Sequence, residues 1–368
     1  MGRGRFVRWL AAVAVVGGAV AAQGPAGAVD TDPVAFAAQA AGQRVIYSYP
    51  GLTPPQSLLD TIRAGEAAGV IFFGENISSS AQIADVVAQL RAAAAQSPVA
   101  EPLLLMTDQE GGQVRRLPGA PELSHKAVGL SANPPAAATT AGRGAGQNLA
   151  GVGMNVNLAP VLDVFHAPGD LMDQFGRSFS NDPAVVGQLG ANYVTAQQNE
   201  GVAATVKHFP GLGPAAASEN TDTRPVTLNT SLSTLRTVHE APYGAAIDAG
   251  AKLVMLSWAV YPALDANRPA GLSPTVVGQE LRSRNGFTGV TISDALEAGA
   301  LADFGATGQR AVLAADAGVD LILASARDVR QGADAATALA GALADGTLDS
   351  EAFGAALARV RALRAGLD

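Results

Sequence analysis

The chain has no cysteine among its 368 residues. This absence excludes disulfide bonds and lipid attachment through an N-terminal cysteine, so stability has to come from a noncovalent core. Aromatic residues make up only 5% of the chain and charged residues 15%, whereas 48% are hydrophobic. That composition suits one large domain or two smaller ones. The formal net charge of −8 disfavours a nucleic-acid partner, because binding phosphates requires a basic surface.

The motifs of several common chemistries are also missing. The sequence contains no cluster of metal ligands, no phosphate-binding P-loop and no Gly-x-Ser-x-Gly nucleophile elbow. Three of the four histidines, His125, His166 and His239, show no partner spacing, and we expect them to be structural or solvated. We therefore expect no metal and no cofactor, and carboxylate chemistry becomes the leading option.

The first 28 residues have the pattern of a signal peptide. Arg3, Arg5 and Arg8 precede an apolar run over residues 9–20, and small residues at 26–28 offer a cleavage site. The run is shorter than the ~20 residues that span a bilayer, although an uncleaved anchor is the alternative. We expect a secreted or cell-envelope protein that has no membrane span after cleavage.

Short apolar runs alternate with alanine-rich helical stretches along the rest of the chain. The predicted strands are residues 44–49, 69–73, 102–107, 155–160, 203–209, 251–258, 289–293 and 319–324. The predicted helices include residues 57–69, 80–95, 183–201 and 307–318, with two closing helices at 333–346 and 349–366. Nearly continuous apolar strands indicate burial on both faces, as in parallel sheets covered by helices.

Eight such units predict an α/β fold, a (β/α)8 TIM-type barrel that forms a single domain over residues 29–368. The alternative is an open doubly wound sheet, which would need a glycine-rich phosphate turn after an early strand. The stretch that follows the first predicted strand, "PGLTPPQ", is not such a turn.

Charged residues are concentrated where the predicted strands end, which is the catalytic face of a barrel. They are Asp108, Glu110 and Arg116 after the third strand, Asp163 and Arg177 after the fourth, Lys207 and His208 at the fifth, and Asp294 at the seventh. Asp294 could instead cap the next helix. Glu110 could be structural or bind substrate, and we expect Asp163 to order its loop.

Five sequence blocks at these positions resemble family 3 glycoside hydrolases, specifically the single-domain form of the bacterial β-N-acetylglucosaminidase (β-hexosaminidase) branch. The blocks are "DQEGGQVRRL", "GMNVNLAPVLDV", "GRSFSNDP", "VKHFPGLG" and "VTISDALEAGA", in this order. The resemblance implies that Asp294 is the catalytic nucleophile of a retaining glycosidase. It also implies that the substrate is a carbohydrate, held in the first subsite by Asp108, Arg116, Arg177, Lys207 and His208.

The chain departs from that branch where the general acid/base should be. The branch reads "KHFPGHG" followed by an Asp-Ser-His triplet. This chain has Leu212 in place of the histidine after Pro-Gly, and Ser-Glu-Asn at residues 218–220 in place of the triplet. Asp222 is our candidate replacement and Glu219 the alternative, because carboxylic acids serve as proton donors in many glycosidases. Alternatively, Asn220 and Asp222 could form a turn and take no part in proton transfer.

The sequence therefore predicts an exported retaining glycosidase that acts on terminal β-N-acetylglucosaminides or a related cell-envelope glycan. Two alternatives remain open: a glycosidase with changed sugar specificity, and a glycan-binding protein that does not cleave. The sequence gives no indication of the oligomeric state.

Overall fold

The computed structural model describes Met1 and residues 33–367, so apart from Met1 the predicted signal peptide lies outside the described residues. Eight parallel strands close into a barrel, in chain order, with the last strand pairing with the first through Val45 with Ile322 and Ile46 with Leu323. The strands are β1 Val45–Tyr47, β2 Gly69–Ile71, β3 Leu104–Thr107, β4 Val156–Asn157, β5 Ala203–Phe209, β6 Leu253–Leu256, β7 Val290–Ala295 and β8 Leu321–Leu323. This arrangement confirms the predicted (β/α)8 barrel.

Helices surround the barrel and connect successive strands. The main α-helices are Pro33–Gly42, Gln56–Arg63, Ser80–Ala94, Pro134–Ala150, Pro183–Gln198, Ala241–Asp248, Thr307–Asp316, Val329–Ala344 and Ser350–Ala365. Shorter α-helical segments are His125–Gly129, Leu171–Gln174 and Leu232–Thr234. Leu235–His239 and Thr275–Arg284 are π-helical, and Gly74–Asn76, Ala270–Leu272 and Gly299–Phe304 are 3₁₀ turns. No helix in the described residues is long and apolar enough to cross a bilayer.

Two small antiparallel hairpins lie outside the barrel. Gln109–Gly111 pairs with Val114–Arg115 directly after β3. Val260–Tyr261 pairs with Asp265–Pro269 after β6. Both hairpins follow the carboxyl ends of their strands, so they extend the face on which a TIM barrel places its site.

The strands read as continuous apolar runs because neighbouring side chains are buried in two different places. In β1, Ile46 belongs to the cluster inside the barrel, whereas Val45 and Tyr47 pack in the layer between strands and helices. Successive residues of a strand point to opposite faces. Both faces therefore need apolar side chains, as the sequence pattern predicted.

Two helix predictions need correction, and one helix was not predicted. The first predicted helix ends at Arg63 rather than continuing to residue 69, because Gly65 turns the chain with φ of +77°. The helix predicted over 333–346 begins at Val329 and is the eighth helix of the barrel ring. The sequence pattern also failed to indicate Pro134–Ala150, although Asn133 caps it with its side chain and two prolines follow.

A buried carboxylate ties the amino-terminal end of the barrel together. Asp320 precedes β8, and its side chain accepts hydrogen bonds from Arg282 of the π-helix (2.5 Å) and Arg359 of the last helix (2.7 Å). It also accepts from the backbone N–H of Thr291 in β7 at 2.8 Å. One fully buried group thus joins two strands to two helices, on the side of the barrel opposite the catalytic face.

We predict that Asp320→Asn lowers the free energy of unfolding by roughly 2–4 kcal/mol, because two arginines lose their shared anion. Both arginines are partly exposed, which keeps the loss below that of a fully buried pair. Urea unfolding measures it. Asp328→Asn is the control, since Asp328 pairs with Arg330 on the surface and should change stability by less than about 0.5 kcal/mol. Equal effects of the two substitutions would contradict this role for Asp320.

Candidate active site

The first wall of the site follows β3. Asp108 comes directly after this strand, and the backbone N–H of Arg116 donates to its carbonyl oxygen at 3.3 Å across the short hairpin. The Nε of Arg116 is buried and has no hydrogen-bond partner within residues 33–367. Arg116 therefore keeps a donor available for a ligand in the cavity.

Glu110 holds two cations behind this wall. Its carboxylate accepts from Nε and Nη2 of Arg177, both at 2.8 Å, and lies 2.8 Å from the Nζ of Lys207. Burial would raise the pKa of Glu110, but the charges of Arg177 and Lys207 outweigh it and hold the pKa well below its usual range. Glu110 is thus an ionised structural carboxylate that positions both cations.

The second wall is the end of β5. The Nζ of Lys207 also donates to Asp108 at 2.7 Å, which joins the ends of β3 and β5. Nδ1 of the neighbouring His208 lies 2.7 Å from the buried carboxylate of Asp163. Asp163 accepts the backbone N–H of Leu212 at 2.6 Å as well. Asp163 therefore fixes both the His208 ring and the turn that follows it.

Asp294 lies near the end of β7, half-buried at the floor of the mouth. One of its oxygens accepts the backbone N–H of Ala295 at 2.8 Å. Burial raises the pKa of Asp294, the positive charge of His208 lowers it, and the negative charge of Asp222 raises it further; the net direction is upward. Asp222 and Asp294 also line the same cavity.

The loop with Asp222 is anchored next to β7. The backbone N–H of Gly299 donates to the carbonyl oxygen of Asp222 at 2.8 Å. The predicted turn is present, but the side chain of Asn220 makes it by accepting the N–H of Asp222 at 2.9 Å. The carboxylate of Asp222 makes no hydrogen bond or ion pair among the described residues, so it is free to act in the cavity.

A cavity of about 440 Å³ opens at this face, which is within the usual size of a ligand site. Its lining brings together seven predicted residues: Asp108, Arg116, Arg177, Lys207, His208, Asp222 and Asp294. The structure does not bring Glu219 to this cavity. Glu219 lines a separate surface pocket, where its carboxylate accepts the N–H of Ala216 at 2.8 Å.

The remaining histidines lie outside the cavity lining. His125 is buried against the rings of Phe179 and Tyr193, and burial lowers its pKa to about 4. His166 is exposed, and burial lowers the pKa of His239 to about 4. Within residues 33–367, no three His, Asp or Glu side chains are grouped to hold a metal ion.

Several residues that line the cavity were not identified from the sequence, and four of them matter for the arguments below. They are Phe73, Glu297, Ser325 and Arg327, from the loops after β2, β7 and β8. The signal was present, because each lies at the end of a predicted strand or within a few residues after it. The sequence prediction covered charged residues after strands three, four, five and seven only, and Glu297 lies three residues beyond Asp294.

A protein-family model matches most of this chain. The model described as the N-terminal domain of glycosyl hydrolase family 3 matches residues 45–363, which is nearly the whole barrel. The chain belongs to glycosyl hydrolase family 3. It is a glycoside hydrolase, and its substrate is a carbohydrate.

Relatives in this family support the assignment. An uncharacterized secreted glycosyl hydrolase from Arthroderma benhamiae is 47% identical over 89% of this chain and 93% of its own. A β-hexosaminidase from Xanthomonas oryzae pv. oryzae is 35% identical over 72% of this chain and 78% of its own.

Two solved structures have the same fold. A β-N-acetylhexosaminidase from Beutenbergia cavernae superposes with a TM-score of 0.79 at 34% identity, over 89% of this chain and 98% of that one. A family 3 β-N-acetylglucosaminidase from a Paenibacillus species gives 0.84 at 33% identity over 89% of this chain. This chain spans 62% of the Paenibacillus protein.

Glu110 and Asp294 should affect stability in opposite directions. The ionised form of Glu110 is favoured by folding, so its contribution is present above the unfolded pKa of ~4.3 and disappears only in strong acid. We predict that Glu110→Gln costs about 3–5 kcal/mol at pH 7. The ionised form of Asp294 is disfavoured by folding, so Asp294→Asn should be more stable than wild type at pH 7.

Urea unfolding at pH 7 and at pH 3 tests this pair of variants. The advantage of Asp294→Asn should shrink as the pH falls below ~3.9, where the unfolded carboxyl is also neutral. A destabilised Asp294→Asn protein at pH 7 would show that the environment of Asp294 favours the ionised form instead.

Proposed function

We propose that this chain is an exported retaining β-N-acetylglucosaminidase, with Asp294 as nucleophile and Asp222 as general acid/base. The observation that carries the proposal is the common cavity, which is lined by two carboxylates, Asp222 and Asp294, and by five residues suited to hold a sugar. Most retaining glycosidases use two such carboxyl groups that flank the scissile bond. The names of the β-hexosaminidase relatives support the choice of sugar.

In the first step, a carboxylate oxygen of Asp294 bonds to the anomeric carbon as the glycosidic C–O bond breaks. The protonated carboxyl of Asp222 gives its proton to the departing oxygen. In the second step, water attacks the anomeric carbon, Asp222 takes a proton from that water, and the bond to Asp294 breaks. The released sugar keeps its original anomeric configuration.

The residues proposed to bind the sugar include cationic donors, an anionic acceptor and a histidine. Lys207 and Arg177 are held by Glu110, so their remaining N–H groups point in fixed directions toward the hydroxyls of the first sugar. Asp108 can accept from a hydroxyl while it holds Lys207. His208, fixed through Nδ1 by Asp163, is left with Nε2 for the ligand. Groups fixed before the sugar arrives keep the ring in a reactive position at low entropic cost.

Asp222 is preferred to Glu219 as the proton donor for three reasons. Its side chain lines the cavity, it has no hydrogen-bond partner among the described residues, and its charge influences Asp294. Glu219 satisfies none of the three, since its carboxylate caps a nearby backbone N–H. Leu212, where the branch has a histidine, is buried and lines the cavity without a titratable group.

We predict that Asp222→Asn lowers kcat/KM about 10²–10⁴-fold for methyl β-N-acetylglucosaminide, whose alkoxide leaving group needs a proton. The 2,4-dinitrophenyl glycoside should react at nearly the wild-type rate in the first step, because its leaving group needs no protonation. Added azide should restore turnover by replacing the water that Asp222 activates. Steady-state and burst kinetics on both substrates measure these effects.

Two variants serve as controls for this test. Glu219→Gln should behave like wild type on both substrates, and Asp294→Ala should be inactive on both. If Asp222→Asn hydrolyses the methyl glycoside normally, the donor role is wrong. If wild type is no faster than Asp294→Ala on any β-N-acetylhexosaminide, the proposed sugar or the nucleophile is wrong.

Export is the remaining part of the proposal. It rests on the signal-peptide pattern of residues 1–28 and on the relative described as secreted. Expression with the native leader should give a protein in the medium or cell envelope that starts at or near Val29. A full-length chain retained in the cytoplasm would contradict export.

A further inference from the structure

The wall of the cavity formed by the loops after β2, β7 and β8 has no role in the mechanism above. Phe73, Glu297, Ser325 and Arg327 lie there. In the barrel order, β6 separates β7 and β8 from β5, whereas β2 lies next to β3. Most of this wall is therefore on the other side of the barrel mouth from the ends of β4 and β5, which carry residues assigned to the first sugar. In a substrate larger than one sugar, the leaving group would therefore contact these four side chains.

The backbone of Arg327 has an unusual conformation that a hydrogen bond holds in place. Arg327 is the one non-glycine residue with positive φ in the part of the chain that the structure describes, at φ of 59°. This backbone conformation is unfavourable for a long side chain, and such residues are frequent at ligand sites. The backbone N–H of Arg327 donates to Oγ of Ser48 at 2.9 Å, and that hydroxyl donates to the carbonyl oxygen of Ala324 at 2.8 Å.

The side chain of Arg327 is also held in place, by contacts of its guanidinium group. Its Cζ lies 4.2 Å from the centre of the Phe73 ring, and its Nε lies 3.5 Å from Oε1 of Glu75. About half of the side chain stays exposed. The remaining N–H groups are therefore available to a ligand at a defined place.

Glu297 supplies acceptors on the same wall. One carboxylate oxygen accepts from Oγ of Ser325 at 2.8 Å and the other from Nε2 of Gln331 at 3.1 Å. Both partners are neutral, and no lysine or arginine of the described residues lies within ion-pair distance of Glu297. The carboxylate is thus oriented, exposed and not neutralised.

We propose that Phe73, Glu297, Ser325 and Arg327 form a subsite for the leaving-group sugar, and that this subsite selects a sugar unit without negative charge. This inference rests on the proposed function. Fixed donors from Arg327 beside fixed acceptors of Glu297 match the hydroxyls of a pyranose ring, which both donate and accept. An aryl or alkyl leaving group offers these side chains almost no hydrogen bonds.

The charge preference follows from the balance of positive and negative charges in this half of the cavity. Arg327 is paired with Glu75, whereas Asp294 and Glu297 have no cationic ion-pair partner among the described residues. Opposed like charges in a confined site cost free energy because they are poorly screened. An acidic leaving-group sugar would add a further negative charge there.

Arg327→Asn tests the subsite without disturbing the backbone, because asparagine tolerates positive φ. We expect kcat/KM for N,N′-diacetylchitobiose to fall about tenfold or more, mainly through KM, which is the scale of a lost hydrogen bond to a charged group. The methyl and 4-nitrophenyl glycosides should change less than about twofold. Arg330→Asn is the matched control, since Arg330 is on the surface and pairs with Asp328.

The methyl glycoside separates this subsite from proton donation. It needs a proton from the acid/base but makes no sugar contacts on this wall, so Asp222→Asn impairs it and Arg327→Asn spares it. Unchanged kcat/KM for the disaccharide in Arg327→Asn overturns the subsite. If wild type proves inactive, binding of chitobiose and of N-acetylglucosamine to the Asp294→Ala protein still tests the subsite. Adding Arg327→Asn to Asp294→Ala should then weaken binding of chitobiose but not of N-acetylglucosamine. Equal affinities of the single and double variants for chitobiose overturn the subsite.

A matched pair of disaccharides tests the charge preference. N-Acetylglucosaminyl-β-1,4-N-acetylmuramic acid differs from chitobiose in its second unit by a lactyl group with a carboxylate. Wild type should favour chitobiose at least about tenfold in kcat/KM, and Glu297→Gln should narrow this difference by raising activity on the acidic substrate. Equal or faster cleavage of the acidic disaccharide by wild type overturns the charge preference.

Discussion

Two cations share one buried carboxylate, and the catalytic face depends on that arrangement. Glu110 holds Arg177 and Lys207 at 2.8 Å each, and Lys207 in turn holds Asp108 at 2.7 Å. These contacts join the ends of β3 and β5 to the loop after β4, so a single ion-pair network sets the shape of the wall that is proposed to bind the sugar. Breaking a buried pair leaves an uncompensated charge, which makes such a network costly to disturb.

The site also keeps carboxylates of different roles in separate places. Carboxylates that serve structure, Glu110 and Asp163, lie below the surface of the cavity with partners on their oxygens, and their pKa values are lowered. The proposed catalytic carboxylates, Asp222 and Asp294, face the cavity with few partners, and burial raises the pKa of Asp294. Environment rather than residue type thus distinguishes carboxylates that hold the site from those proposed to react.

Most of the barrel could be predicted from the sequence because strands buried on both faces leave a continuous apolar pattern. The residues proposed to hold the sugar could be placed because they follow those strands directly. The choice between Glu219 and Asp222 could not be made in this way. It depends on how the loop packs, since the backbone N–H of Gly299 donates to the carbonyl oxygen of Asp222 and anchors the loop next to β7. Arg327 follows the eighth predicted strand closely enough to be considered, but its fixed position depends on an unusual φ and on contacts with Ser48 and Phe73, which no local pattern indicates.

The central claim is that Asp294 forms a covalent bond to the sugar. An activated N-acetylglucosaminyl substrate with fluorine at C5 slows the second step more than it impedes the first and should allow the intermediate to accumulate. Peptide mass spectrometry of the protein treated in this way tests the claim directly. The account predicts one fluorosugar per chain, attached to Asp294 and absent from Asp294→Ala. A label on any other residue would contradict it, as would complete turnover to the inverted anomer without a label.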